Sequence, residues 1–190
     1  MLRRALPRSA SVLLPLLLLL GVPGAQGREV AAPAAHVEAD GPYVFRNGDQ
    51  LQAKWICADA VQTRSLGTAT GAADVAPLCG YPHSVHVLPP VAPSVSELPA
   101  VPRIVALSDI HGQYDLLVRL LRAHHVIDAQ DRWALGQDTL VVAGDVFDRG
   151  PQVTEAFWLL YGLQQQAAAA GGAVHFVLGN HETMVLYDDL

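Results

Sequence analysis

From residue 103 onward one pattern recurs three times: a short unbroken apolar run that ends in polar residues, with helical stretches between the runs. Residues 103–108, 139–143 and 173–178 are the apolar runs, and they read as buried-type strands. Residues 112–125 carry Leu116, Leu117, Leu120 and Leu121 as the apolar face of a first helix. A second helix is expected with Pro151 near its start and Gly171-Gly172 as its stop. The order β-α-β-α-β predicts an α/β fold with a parallel or mixed sheet, helices packed on it and right-handed crossovers.

Open α/β sheets gather ligand-binding groups at strand C-termini, and each apolar run here ends in such groups. The first cluster is Asp109-Ile110-His111, the second runs from Gly144 through Asp145, Val146, Phe147, Asp148 and Arg149 to Gly150, and the third is Gly179-Asn180-His181-Glu182. Side chains at i and i+2 of an extended segment leave on one side, so Asp109 and His111 are expected to reach one ion together. Taken singly, Asp109 and Asn180 read as helix caps and Asp148-Arg149 as a surface pair. Taken together, carboxylate, imidazole and amide groups at three successive strand ends suit divalent cations.

In order and character the three clusters resemble the motifs of the calcineurin-like metallophosphoesterases, and most of all the Shewanella-like protein phosphatases of the phosphoprotein-phosphatase branch. The resemblance covers residues 101–190 and says nothing about residues 28–100. It implies the first βαβαβ half of a metallophosphoesterase sandwich (α/β/β/α) and a metal-dependent phosphomonoester hydrolase. Two metal ions (Mn, Fe or Zn) would be bound, one by Asp109 and His111, both by Asp145 as the bridge, and the second by Asn180. A hydroxide shared by the two ions would be the nucleophile. His181 would protonate the leaving oxygen while Asp148 hydrogen-bonds its other ring nitrogen, and Arg149, together with His181, would hold the phosphate. Glu182 reads as a supporting or capping group. The implied substrates are phosphorylated proteins or small phosphoesters. The motif set also serves nucleotidases and dinucleoside polyphosphate hydrolases, and a non-catalytic binding module is the reading from another class.

The family completes its site with two further histidines, and none follows His181. His36, His83, His86, His124, His125 and His175 read as loop, helix-end or strand residues rather than substitutes. The expectation is therefore an N-terminal part of a longer protein, inactive by itself.

Ahead of the regular region, Arg3, Arg4 and Arg8 precede an apolar run over residues 12–22, and Ala25 and Gly27 stand at cleavage-type positions. Residues 1–27 thus read as a signal peptide, too short in its apolar run for a membrane anchor, and the protein is expected to be exported with no stable membrane insertion after cleavage. Cleavage removes three arginines and no acid, so the formal charge falls from −6 to −9. Such an acidic chain without a basic cluster is a poor partner for nucleic acid. In an exported chain the pair Cys57 and Cys79 suggests one disulfide. Residues 28–80 read as a small β appendage with a hairpin turn at Asn47-Gly48, residues 81–102 as a linker broken by six prolines, and residues 103–190 as the metallophosphoesterase part.

Overall fold

The computed structural model describes residues 39–187 except 59 and 92–99; the signal-peptide reading of residues 1–27 and the position of His36 lie outside the described residues. The appendage is a meander of β1 (Ala39–Asn47), β2 (Gln50–Cys57) and β3 (Ala60–Thr68), paired antiparallel in chain order. Alternation in β2 sets its two faces, with Leu51, Ala53 and Trp55 fully buried and the residues between them partly exposed. Asn47 pairs with Gln50, so the two-residue turn is Gly48-Asp49, one position later than the sequence suggests. Gly48 takes the positive φ, 56°, that this turn demands.

Two elements of the appendage escape the sequence reading. The strand β3 is almost wholly exposed and lacks an apolar alternation, so hydrophobic period carries no trace of it. The stretch expected to be a linker from residue 81 contributes β5 (Val85–Val87), which pairs antiparallel with β4 (Ala73–Val75). Its prolines fall outside the three paired residues, and Tyr81, Val85 and Val87 join Leu51, Trp55 and Val75 in one core. The appendage therefore extends past residue 80. Cys57 and Cys79 are joined by a disulfide that ties the end of β2 to the segment before Tyr81.

The second part contains β6 (Ile104–Leu107), α1 (Tyr114–Ala123), β7 (Thr139–Val142), α2 (Val153–Ala170), β8 (Ala173–Phe176) and α3 (Asn180–Leu186). The three strands are parallel in the order β6-β7-β8, as the βαβαβ reading requires. Leu107, Val142 and Phe176 are register partners, so the three strands end level and their following loops lie side by side. Leu140, Val142 and Val174 meet Leu159, Leu160 and Leu163 of α2 in the core. The helix α1 is rotated from its expected face: Leu117, Val118 and Leu121 are buried, whereas Leu116 and Leu120 are exposed. Four leucines spaced i, i+1, i+4 and i+5 span more of the helix than a single sheet contact covers. The helix α2 ends where expected, with Gly171 left-handed at φ 80° and the amide of Gly172 donating to the carbonyl of Ala167 at 2.8 Å.

Candidate metal centre

Because the strands end level, the first polar residues after each of them are brought to one rim. The backbone stitches the loops together: the amides of Asp109, His111 and Gly112 donate to the carbonyls of Gly144, Asp145 and Val146 at 3.3, 2.9 and 2.9 Å. Close approach requires glycine at Gly144 and Gly179, since a Cβ on Gly144 would stand 2.1 Å from the Gly179 nitrogen. A Cβ on Gly179 would stand 2.2 Å from Oδ1 of Asp145.

Asp109, His111, Asp145, Asp148 and Arg149 all adopt left-handed backbone, with φ between 47° and 69°. Each such residue without glycine's freedom costs about 1–3 kcal/mol and persists only where its surroundings over-determine it. Extended geometry is thus not what unites Asp109 and His111, contrary to the i, i+2 argument. They are nonetheless close, with Oδ1 of Asp109 3.7 Å from Nε2 of His111.

One ligand-capable atom from each of His111, Asp145 and His181 lies within 4.8 Å of the others. The rings of His111 and His181 meet edge to face at 4.7 Å between centroids. Nδ1 of His111 stands 3.0 Å from the carbonyl oxygen of Phe147. A carbonyl only accepts, so Nδ1 carries the proton and Nε2 keeps a free lone pair on the Asp109 side. An imidazole held by its other nitrogen in this way is the usual arrangement of a metal-ligating histidine. No sequence signal marks Phe147 for this task, because any residue has a carbonyl.

The pairing around His181 is looser than expected. Nδ1 of His181 is 3.4 Å from Oδ2 of Asp148, ion-pair range, yet it makes no hydrogen bond and is buried. The other oxygen, Oδ1 of Asp148, accepts the Arg149 amide at 2.6 Å and holds the carboxylate locally. On its other side, Nε2 of His181 lies 3.3 Å from a guanidinium nitrogen of Arg149. Asn180 opens α3 one residue earlier; it is exposed, and its side chain makes no hydrogen bond among the described residues. Asp109 is exposed too, with about two thirds of its side chain accessible, as are Asp148 and Arg149.

Glu182 is the structural keystone. It is 2% exposed, and its two oxygens accept the amides of Asp145, Val146, Phe147 and Gly179 at 2.7, 2.8, 3.2 and 2.8 Å. Burial pushes its carboxyl pKa up, but the amide donors, led by that of Asp145, together outweigh burial and hold it below the ordinary 4.5. Glu182 therefore fixes the Asp145 loop to α3 as a buried anion. His83, His86, His124, His125 and His175 are not among the residues that converge here.

With this geometry in view, the calcineurin-like phosphoesterase family model matches residues 102–190. Those residues belong to a calcineurin-like phosphoesterase domain. Over 87 residues the chain is 36% identical to Shewanella-like protein phosphatase 2 of Arabidopsis thaliana, covering 46% of this chain and 22% of that one. Over 80 residues it is 38% identical to a symmetrical bis(5'-nucleosyl)-tetraphosphatase of Cronobacter sakazakii, covering 42% and 23%. A crystal structure of a cold-active protein-tyrosine phosphatase from a psychrophilic Shewanella species superposes with a TM-score of 0.66 at 40% identity, covering 80% of this chain and 46% of that one. A share of 80% exceeds what residues 102–190 account for, so the likeness takes in the appendage, about which the motifs are silent. The chain spans less than half the length of the solved structure and about a quarter of the curated relatives.

Proposed function

We propose that the protein takes part in metal-dependent hydrolysis of phosphomonoesters, with phosphotyrosine-bearing proteins or small phosphoesters as substrates. The observation that carries this reading is the convergence of His111, Asp145 and His181 from three separate strand ends to within 4.8 Å. The donor set fits a divalent cation: a carboxylate, an imidazole with its lone pair free, and a buried Glu182 that locks the loop carrying Asp145. Asp109, His111, Asp145 and Asn180 would hold two ions, with Asp145 common to both. When bound, such ions ionise water near neutral pH and offset charge on the phosphoryl oxygens.

The remaining roles belong to the side chains beside that cluster. Arg149 offers a planar fork to non-bridging phosphate oxygens. His181 supplies the proton to the leaving oxygen, and Asp148 stands at ion-pair distance, 3.4 Å, from Nδ1. The protein-tyrosine phosphatase structures at 40–41% identity support phosphotyrosine as the first substrate to test. The tetraphosphatase relatives support a second reading, hydrolysis of dinucleoside polyphosphates. Export is part of the same reading; the Cys57–Cys79 bond supports it, because such bonds persist in oxidising compartments.

The test is a side-by-side assay of the full-length protein on a phosphotyrosine peptide, nitrophenyl phosphate and diadenosine tetraphosphate, before and after chelation, with metal content measured. Chelator-sensitive release of phosphate from the peptide is the expected result. Turnover of the dinucleotide alone would favour the second reading, and hydrolysis indifferent to chelation would remove the metal from both.

A further inference from the structure

Phe147 uses its backbone twice in the candidate site. Its carbonyl oxygen stands 3.0 Å from Nδ1 of His111, and its amide donates to Oε1 of Glu182 at 3.2 Å. Its side chain is engaged elsewhere. The Phe147 ring lies 4.9 Å between centroids from the ring of Phe157, and that ring lies 5.3 Å from the ring of Phe176. Three of the chain's four phenylalanines thus form one row, from the loop after β7 through α2 to the last residue of β8. Tilted ring pairs with centroids about 4.5–7 Å apart attract one another beyond the area they bury.

The loop that carries Phe147 is under strain and needs anchors. Between Gly144 and Gly150 it holds Asp145, Asp148 and Arg149 in left-handed backbone, with φ of 57°, 69° and 69°. Such residues stay there only where their surroundings over-determine them. Asp148 and Arg149 are exposed and bury little. The two apolar side chains between the glycines are Val146 and Phe147. Val146 is fully buried in the main core. Phe147 is only partly buried, and the ring it packs on is that of Phe157.

The consequence falls on His111. A neutral imidazole carries its proton on either nitrogen, and a carbonyl held at Nδ1 selects one of the two forms. The carbonyl belongs to a rigid peptide plane, so any movement of that peptide carries the acceptor with it. A hydrogen bond weakens steeply once its alignment is lost. We propose that Phe157 is a positioning residue. By packing on the Phe147 ring it holds the Phe147 carbonyl on Nδ1 of His111, and so keeps Nε2 unprotonated on the side of Asp109, 3.7 Å away. The effect on metal binding rests on the proposed role of His111 as a ligand, whereas the effect on the position of the ring proton does not.

The test uses the full-length protein, labelled with 15N at histidine and stripped of metal by chelation, with the His111 signals identified by their loss in His111→Asn. In the parent at pH 8, Nδ1 should give the shift of an N–H nitrogen and Nε2 that of a bare one. In Phe157→Ala the two shifts should move toward each other as both forms become populated. Affinity for Mn²⁺, measured by calorimetry, should fall about 10–100-fold, the usual loss when the partner of a metal-ligating histidine is disturbed. Phe157→Leu keeps apolar bulk without the ring and should show the same changes in smaller degree, while Phe157→Tyr keeps the ring and should restore both properties. Phe147→Ala removes the other half of the pair, so the double variant should lose no more Mn²⁺ affinity than Phe147→Ala alone. Leu163→Ala truncates a fully buried side chain of the same helix and should lower the melting temperature without moving the His111 shifts. Parental shifts in both Phe157→Ala and Phe157→Leu overturn the proposal, as do shifts that move as far in Leu163→Ala. Shifts that move while Mn²⁺ affinity stays at the parental value uphold Phe157 as a positioning residue and remove His111 from the metal ligands.

Discussion

Asp145 serves three neighbours at once: its carbonyl accepts the His111 amide, its own amide donates to Glu182, and its Oδ1 accepts the His181 amide at 3.2 Å. In Asp145→Asn of the full-length protein, turnover should vanish and metal content fall, because the carboxylate proposed to serve both ions is gone. His181→Asn should instead keep its metal and lose rate by ~10²–10⁴-fold, least for nitrophenyl phosphate, whose leaving group needs little protonation. Metal loss in the histidine variant with retention in the aspartate variant would reverse the two roles. Glu182 makes a different prediction. Its folded pKa lies below its unfolded value of 4.5, so its contribution is fully present above that pH and is lost as pH falls through the folded value. Glu182→Gln, which keeps one acceptor oxygen but turns an NH2 donor toward two of the four amides, should cost about 2–4 kcal/mol in urea unfolding at pH 7. That difference should shrink as the pH is lowered below 4.5, and a pH-independent difference would show that the charge is not what the amides hold. The motif residues are legible one by one because their chemistry is in the side chain. Those that act through the backbone, such as the Phe147 carbonyl, are not.

The elements show the same division. Three short strands and two helices follow from apolar runs and their stops, and the runs are legible in the sequence even though β6 is only partly buried, with Ile104 61% exposed. The strands β3, β4 and β5 are too exposed or too short to leave such a run, and only pairing defines them. The disulfide is the covalent support of that weakly patterned region, closing a loop across a sequence separation of 22. Replacing Cys57 and Cys79 by alanine should lower stability by about 2–4 kcal/mol in a denaturant titration. The loss should be matched by reducing agent in the parent protein and absent on reduction of the variant. A reduced parent as stable as the oxidised one would mean that the bond constrains nothing the sheet does not already hold.

At the scale of the molecule, the appendage leans on α2 through few but directional contacts. The Trp158 indole donates to the Pro42 carbonyl, the Gln165 side chain to the His86 carbonyl at 3.0 Å, and the Leu88 amide to the Tyr161 hydroxyl at 2.9 Å. Packing against a helix adds to the stability of a small sheet, and this seam supplies it for the appendage. Trp158→Ala removes both the ring that packs against the appendage core and the donor to Pro42. It should cost about 3–5 kcal/mol and split a single thermal transition in two, the appendage melting first. Calorimetry showing one unshifted transition would mean that the seam contributes little. What the sequence by itself determined is the βαβαβ order, the strand-end clusters and the kind of chemistry they suit, since apolar period and side-chain type are local properties. What only the tertiary structure decided is which atoms meet. The level strand ends, the left-handed backbone at Asp109 and Asp145, the Glu182 anchor and the strand recruited from a proline-rich stretch all arise from contacts between residues far apart in the chain. Local pattern carries no record of such contacts, because their energy exists only once the elements have packed.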